Sequence, residues 1–182
     1  ITVENLTKRY GKKTAVSQLN FHVPDGQVTG FLGPNGSGKS TTMRIALGVL
    51  AKDSGEVYFD NAPINDDNRR RIGYMPEERG LYGKEPLLSQ LVFLGTLHGM
   101  DKPAAKRAGT ELLEQLGLGE RMDDKLDDLS LGNQQRVQLA ASLIHSPQIL
   151  YLDEPSIGLD VSVKARFREF IKFVHRERGL TV

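Results

Sequence analysis

Gly33-Pro34-Asn35-Gly36-Ser37-Gly38-Lys39-Ser40 sets glycines, a lysine and a hydroxyl at the spacing GxxxxGK[ST]. The glycines let successive backbone N–H groups converge on an anion. The Lys39 ammonium is a point charge for terminal phosphates, and Ser40, followed by Thr41, offers a hydroxyl to magnesium. Far downstream Asp153 and Glu154 stand side by side, and adjacent carboxylates can divide the work. Asp153 is expected to hold the magnesium, through water, and Glu154 to polarise a water for in-line attack on the terminal phosphorus. A third stretch, Leu129-Ser130-Leu131-Gly132-Asn133-Gln134-Gln135-Arg136, leads small polar residues into apolar positions Val137, Ala140, Ala141 and Ile144. That is the i, i+3, i+4, i+7 pattern of a capped helix. Exposed N–H groups at a helix start attract anions, so the chain offers phosphate two places.

Each stretch also has a plainer reading: a Gly-rich turn, a helix-capping acidic turn, an ordinary capped helix. What favours chemistry is the frame around them. The apolar run Val28 to Leu32 precedes the Gly-rich loop and a helix-compatible segment follows it, giving strand, loop and helix. A second apolar run, Ile149 to Leu152, ends on the two carboxylates and Pro155. Continuous apolar strands belong to parallel sheets covered on both faces, and ligands gather where such strands end. Between them Ala104, Ala108, Leu112 and Leu116 share one helical face, Lys106, Arg107, Glu111 and Glu114 point away, and Gly117 stops the helix. The expected fold is α/β: a core with a mainly parallel sheet, an N-terminal antiparallel β region and an inserted helical subdomain. The core takes 1–78 and 131–182, and the subdomain takes 79–130, from Arg79 to Ser130.

Composition narrows the partners. Over 182 residues, 24 basic against 23 acidic side chains leave a net charge of +1, which argues against a nucleic-acid surface. The absence of cysteine removes disulfides and thiolate metal sites and agrees with a reducing cytosol. Neither of the longest uncharged stretches, Pro86 to Met100 and Val137 to Leu152, reaches the ~20 apolar residues of a membrane span.

The order of these motifs, with Ser156-Ile157-Gly158-Leu159-Asp160 following the acidic strand, resembles the ATP-binding cassette (ABC) ATPases along essentially the whole chain. The resemblance implies that Tyr10, in KRYGKKTAV, stacks on adenine with Val16 beside the ribose. Ser130 and Gly132 match the serine and second glycine of the LSGGQ motif, and Asp160 matches the D-loop aspartate. Cassettes of that family pair head to tail, so the second helix start of one would cap the terminal phosphate held in the loop of the other. The resemblance thus implies ATP and magnesium as cofactors, a homodimer, a transmembrane permease as partner and no nucleic acid. It places the protein in the cytoplasm, peripheral on the membrane face, as the ATPase subunit of a transporter.

Three departures from the family pattern stand out. Leu131 replaces the first glycine of LSGGQ and Asn133 its glutamine, and Glu77 stands where a glutamine usually reaches the magnesium; a carboxylate can still ligate it. With PEERGLY and GNQQ, these look like the prokaryotic branch serving multidrug- and sodium-type exporters. Finally, Leu180-Thr181-Val182 reads as a strand beginning, after which the family places its switch histidine. The implied chain is a C-terminally truncated cassette that binds ATP and turns it over poorly. His22, His98, His145 and His175 do not match that position and read as surface or packed side chains. Leu81, Tyr82, Leu87, Leu88, Leu91 and Phe93 exceed the apolar content of a loop and suggest a groove for a permease helix. Two other readings stay open: a soluble cassette ATPase of translation or DNA maintenance, and a regulatory nucleotide-binding module without turnover, against which Lys39, Asp153 and Glu154 speak.

Overall fold

The computed structural model describes residues 1–78, 80–156 and 159–182, apart from the side chain of Ser162. Strands β1 (Thr2–Tyr10) and β2 (Lys13–His22) form an antiparallel hairpin, and β3 (Ser54–Phe59) and β4 (Ala62–Pro63) extend it in the order β2-β1-β3-β4. Between β2 and β3 lies helix α1 (Lys39–Ala46); a short α2 (Asp66–Arg69) then leads into β5 (Ile72–Met75). Helices α3 (Leu87–Leu97), α4 (Lys102–Gln115) and α5 (Leu131–Leu143) fill the middle of the chain, with β6 (Ile149–Leu152) and α6 (Val161–Arg178) closing it. This is the α/β class, with an antiparallel region and a smaller parallel sheet, β5 beside β6.

The parallel pair forms because both strands are short apolar runs with helices packed against them. Ile72, Met75, Ile149 and Leu150 are all buried, and Met75 meets Leu152 in the register. The expected strand over Val28 to Leu32 does not form. Thr29 N–H donates to the Val182 carbonyl at 2.7 Å and Val182 N–H to the Gln27 carbonyl at 2.9 Å, and no other described residue pairs with the run. An apolar cleft of about 330 Å³ lies between Val28–Phe31 and β6, and Leu32 is 94% exposed. Apolar character supplies the tendency to extend; a ladder partner alongside is what makes a strand.

Two apolar cores result. One joins Val3, Leu6 and Val16 of the hairpin, Ile45 of α1 and Val57 of β3. The other runs from Leu87 and Leu91 of α3 and Leu112 and Leu113 of α4 into Val137 and Leu143 of α5, Leu150 of β6 and Phe167 of α6. On α4 the polar face is as expected, with Lys106, Arg107, Glu111 and Glu114 exposed. Its buried stripe is Ala105, Gly109, Leu112 and Leu113. Gly109 belongs there because a Cβ would approach Leu88 Cδ1 to 3.0 Å.

Candidate nucleotide-binding site

Helix α1 starts without a side-chain cap: its N-cap is Gly38, at φ 90° and ψ 10°, and no acidic residue stands in its first turn. The first N–H groups of the helix therefore have no competing side-chain acceptor and carry the positive end of the helix dipole. Gly38 is required twice over. Its φ is left-handed, and a Cβ would sit 2.5 Å from the Ala15 carbonyl oxygen and 2.9 Å from Val16 Cγ2. Likewise a Cβ on Gly33 would come within 2.7 Å of Ser37 Oγ. The loop is thus wedged against β2 with its backbone bare. Lys39 Nζ donates to the carbonyls of Gly33 (2.8 Å) and Pro34 (3.1 Å), which holds the ammonium over the loop. Phosphate oxygens accept more strongly than amide carbonyls and suit this charge.

Across from the loop, β6 ends on the carboxylates. Asp153 is 2% exposed, and Ser40 Oγ donates to its Oδ1 at 3.1 Å, joining the first turn of α1 to the end of β6. Glu154 has φ +51°, left-handed for a residue that is not glycine, and it is exposed. Such a conformation costs on the order of 1–3 kcal/mol and persists where surrounding structure imposes it. The turn swings Glu154 out of the strand direction into a cleft of about 490 Å³, shared with Lys39, Ser40 and Thr41. Asn35, Gly36 and Gly38 form the floor of that cleft, with Glu77 on the same rim.

Tyr10 lines the cleft at the end of β1 and is 50% exposed, a flat aromatic face available to a base. Its expected companion is placed differently: Val16 is 6% exposed and packs behind Gly38, while Lys13 and Ala15 line the cleft. Alternation along β2 explains this, because Val16 points into the core and Lys13 and Ala15 lie on the opposite side. Lys13 and Ala15 were legible as neighbours of Tyr10 in KRYGKKTAV but not as lining.

The second helix start differs in kind. Ser130 caps α5, with Asn133 N–H donating to its Oγ at 3.4 Å. Gly132 packs on α6, where a Cβ would lie 2.9 Å from Val163 Cγ1. Ser130, Gly132 and Asp160, the N-cap of α6, do not line the cleft of their own chain. Of the expected motif between β6 and α6, Ile157 and Gly158 lie outside the described residues, as does Arg79 at the expected subdomain boundary. Gln138, about two turns into α5 and buried, donates from Nε2 to the carbonyls of Pro76 (2.9 Å) and Glu78 (3.2 Å). It pins the segment bearing Glu77 to the helix that Ser130 begins. A glutamine in an apolar helix face was the only sequence sign of it.

None of the histidines faces the cleft. His22 meets Thr2, His175 Nδ1 lies 2.7 Å from the Leu180 carbonyl, and His98 and His145 stack with ring centroids 3.8 Å apart. Of the apolar segment after Glu77, Leu87 and Leu91 are wholly buried, whereas Tyr82 (62%) and Phe93 (48%) are exposed. Among the described residues no three His, Cys, Asp or Glu side chains cluster as metal ligands. Nor is any described helix long and apolar enough to cross a membrane.

A bare-backboned Gly-rich loop at a helix start, facing a buried aspartate at a strand end, defines a phosphate-loop nucleotide-binding fold. The ABC transporter family model matches residues 16–157. The chain belongs to that family. It is 42% identical over 161 residues to the ABC transporter ATP-binding protein YhaQ of Bacillus subtilis, covering 88% of this chain and 54% of that protein. It is 36% identical over 185 residues to the linearmycin resistance ATP-binding protein LnrL of the same organism, covering all of this chain and 59% of that one. Among solved structures, cbiO1 of Clostridium perfringens, part of the ABC transporter complex cbiONQ, superposes with a TM-score of 0.88 at 28% identity, over 98% of this chain and 74% of that one. The chain therefore spans somewhat more than half the length of these sequence relatives.

Proposed function

We propose that this chain is the ATP-binding and hydrolysing part of a transporter subunit. The observation that carries the reading is the 3.1 Å contact of Ser40 Oγ with Asp153 Oδ1 beside the uncapped N-terminus of α1. Gly33, Pro34, Asn35, Gly36, Ser37 and Gly38 wrap the phosphates with backbone N–H groups, and Lys39 neutralises the terminal ones. Tyr10 stacks on adenine. Magnesium suits Ser40 and Asp153, and Glu77, which lines the same cleft, would join through water, because that ion takes one or two protein oxygens and completes its shell with phosphate and water. Glu154, turned into the cleft, accepts the proton of the attacking water as general base.

Ser130, Gly132 and Asp160 lie outside their own cleft, which supports their action in trans on a second copy of this chain, in a head-to-tail homodimer. The segment 79–130 serves as the helical arm that meets the membrane partner, with Tyr82 and Phe93 among the exposed apolar residues offered to a permease helix. Names of relatives such as the linearmycin resistance protein and the lantibiotic transport ATP-binding protein of Streptococcus pyogenes favour an exporter bound at the cytoplasmic membrane face over a soluble cassette ATPase. Calorimetry with ATP and magnesium tests the reading. The wild-type chain binds, and Lys39→Ala loses most of the affinity; equal affinities would refute it. Crosslinks from Tyr82 and Phe93 positions to a co-expressed permease test the partner, and their complete absence would count against it.

A further inference from the structure

Asp153 is held on both of its oxygens. Ser40 Oγ donates to Oδ1 at 3.1 Å, and on the other side the Tyr74 phenol donates to Oδ2 at 3.5 Å. Tyr74 comes from β5, where it stands beside Tyr151 of β6 in the parallel register. The Arg44 guanidinium of α1 also acts electrostatically on the Tyr74 hydroxyl. A phenol carries a single proton and a carboxylate only accepts, so that proton goes to Asp153. Arg44 lies four residues after Ser40, one turn along the same face of α1. Three side chains thus form a short hydrogen-bonded circuit, Ser40 to Asp153 and Asp153 to Tyr74, which joins α1, the end of β6 and β5.

This circuit has a chemical consequence. A carboxylate at a strand end can rotate about its terminal torsion, which is broad, and rotation would carry Oδ1 away from the Ser40 hydroxyl. A bond to Oδ2 stops it. The phenol O–H is the donor and the carboxylate oxygen the acceptor in that bond.

Resting on the reading that Ser40 and Asp153 hold the divalent cation, we propose that Tyr74 is a positioning residue that aims Asp153 at that cation and sets how strongly metal enhances nucleotide binding. Tyr74 lies three residues before Glu77, so the residue that holds Asp153 also begins the segment that brings a carboxylate to the cleft.

The test compares ATP affinity in excess magnesium with ATP affinity in a metal chelator, by calorimetry on the full-length protein. Tyr74→Phe keeps the ring and its packing. It should reduce the magnesium enhancement about 10-fold, the scale of losing a partner that orients a metal ligand, with affinity in chelator and the thermal midpoint unchanged. An unchanged enhancement in Tyr74→Phe, or a loss matched by equal weakening in chelator, overturns the proposal. Asp153→Asn separates the two levels of the argument: if it retains the full magnesium enhancement, the assignment of the cation site itself is wrong.

Discussion

The starts of α1 and α5 are both helix N-termini with glycine nearby, and they are built oppositely. At α1 the cap is a glycine, no side chain accepts from the first turn, and a lysine stands over the loop. At α5 the cap is Ser130, whose Oγ takes the Asn133 N–H. The glycines differ as well. A Cβ at Gly38 would strike backbone of the chain's own β2, and a Cβ at Gly132 would strike the tip of the Val163 side chain. One terminus leaves its donors to a ligand. The other satisfies part of its own demand and can turn its remaining donors outward, which is why the first is assigned to the chain's own nucleotide and the second to a partner's.

The largest expected effect falls on turnover. In the full-length protein Glu154→Gln should slow hydrolysis by ~10²- to 10⁴-fold while leaving ATP binding intact, since only the proton acceptor is lost; a rate assay beside calorimetry checks both halves. Next comes affinity, where the two termini should separate. Lys39→Ala should weaken ATP binding to a single chain by about 10- to 100-fold, the scale of a lost charge-assisted contact, whereas Ser130→Ala should leave that single-chain affinity unaltered. Equal losses in the two variants would erase the distinction drawn between the helix starts.

Stability gives a finer comparison. Gly38→Ala combines a left-handed φ with a contact to fixed backbone and should cost on the order of 1–3 kcal/mol in denaturant unfolding. Gly132→Ala meets only a side-chain methyl and should cost less, and Ser130→Ala about 1 kcal/mol for the lost cap. Acid should act behind both termini. Burial first, then the neighbouring His98, pushes His145 down to about 4 from an ordinary 6.5, and its Nε2 lies 3.2 Å from the Ile72 carbonyl. A depressed folded pKa means the unfolded chain takes the proton more readily. The contribution, on the order of 2 kcal/mol, is fully present above about pH 6.5 and is lost as pH falls towards 4. His145→Gln should flatten the stability profile across that window, read by urea midpoints at a series of pH values.

The parts readable from sequence were those specified by local spacing. The phosphate loop, the strand that ends on Asp153 and Glu154, and the Ser130 cap of α5 depend on neighbours within a few residues, and the structure places each where its pattern indicates. Tertiary pairing was not readable in the same way. Val28 to Leu32 has the composition of a strand, yet among the described residues Val182 alone pairs with it, bonded to Thr29 and to the adjoining Gln27. Val16 sits beside Tyr10 in the chain but alternation turns it into the core. Tyr74 and Gln138 act through partners on other elements, and no motif marks residues whose meaning comes from a contact 79 positions away, as between Tyr74 and Asp153.

Sedimentation velocity of the full-length Glu154→Gln protein, with and without ATP, tests the division between the two helix starts most directly. The chain should be monomeric alone and dimeric with ATP, and adding Ser130→Arg should abolish the dimer while ATP still binds each chain. A double variant that dimerises with ATP as readily as Glu154→Gln alone would show the start of α5 to be a capped helix and nothing more.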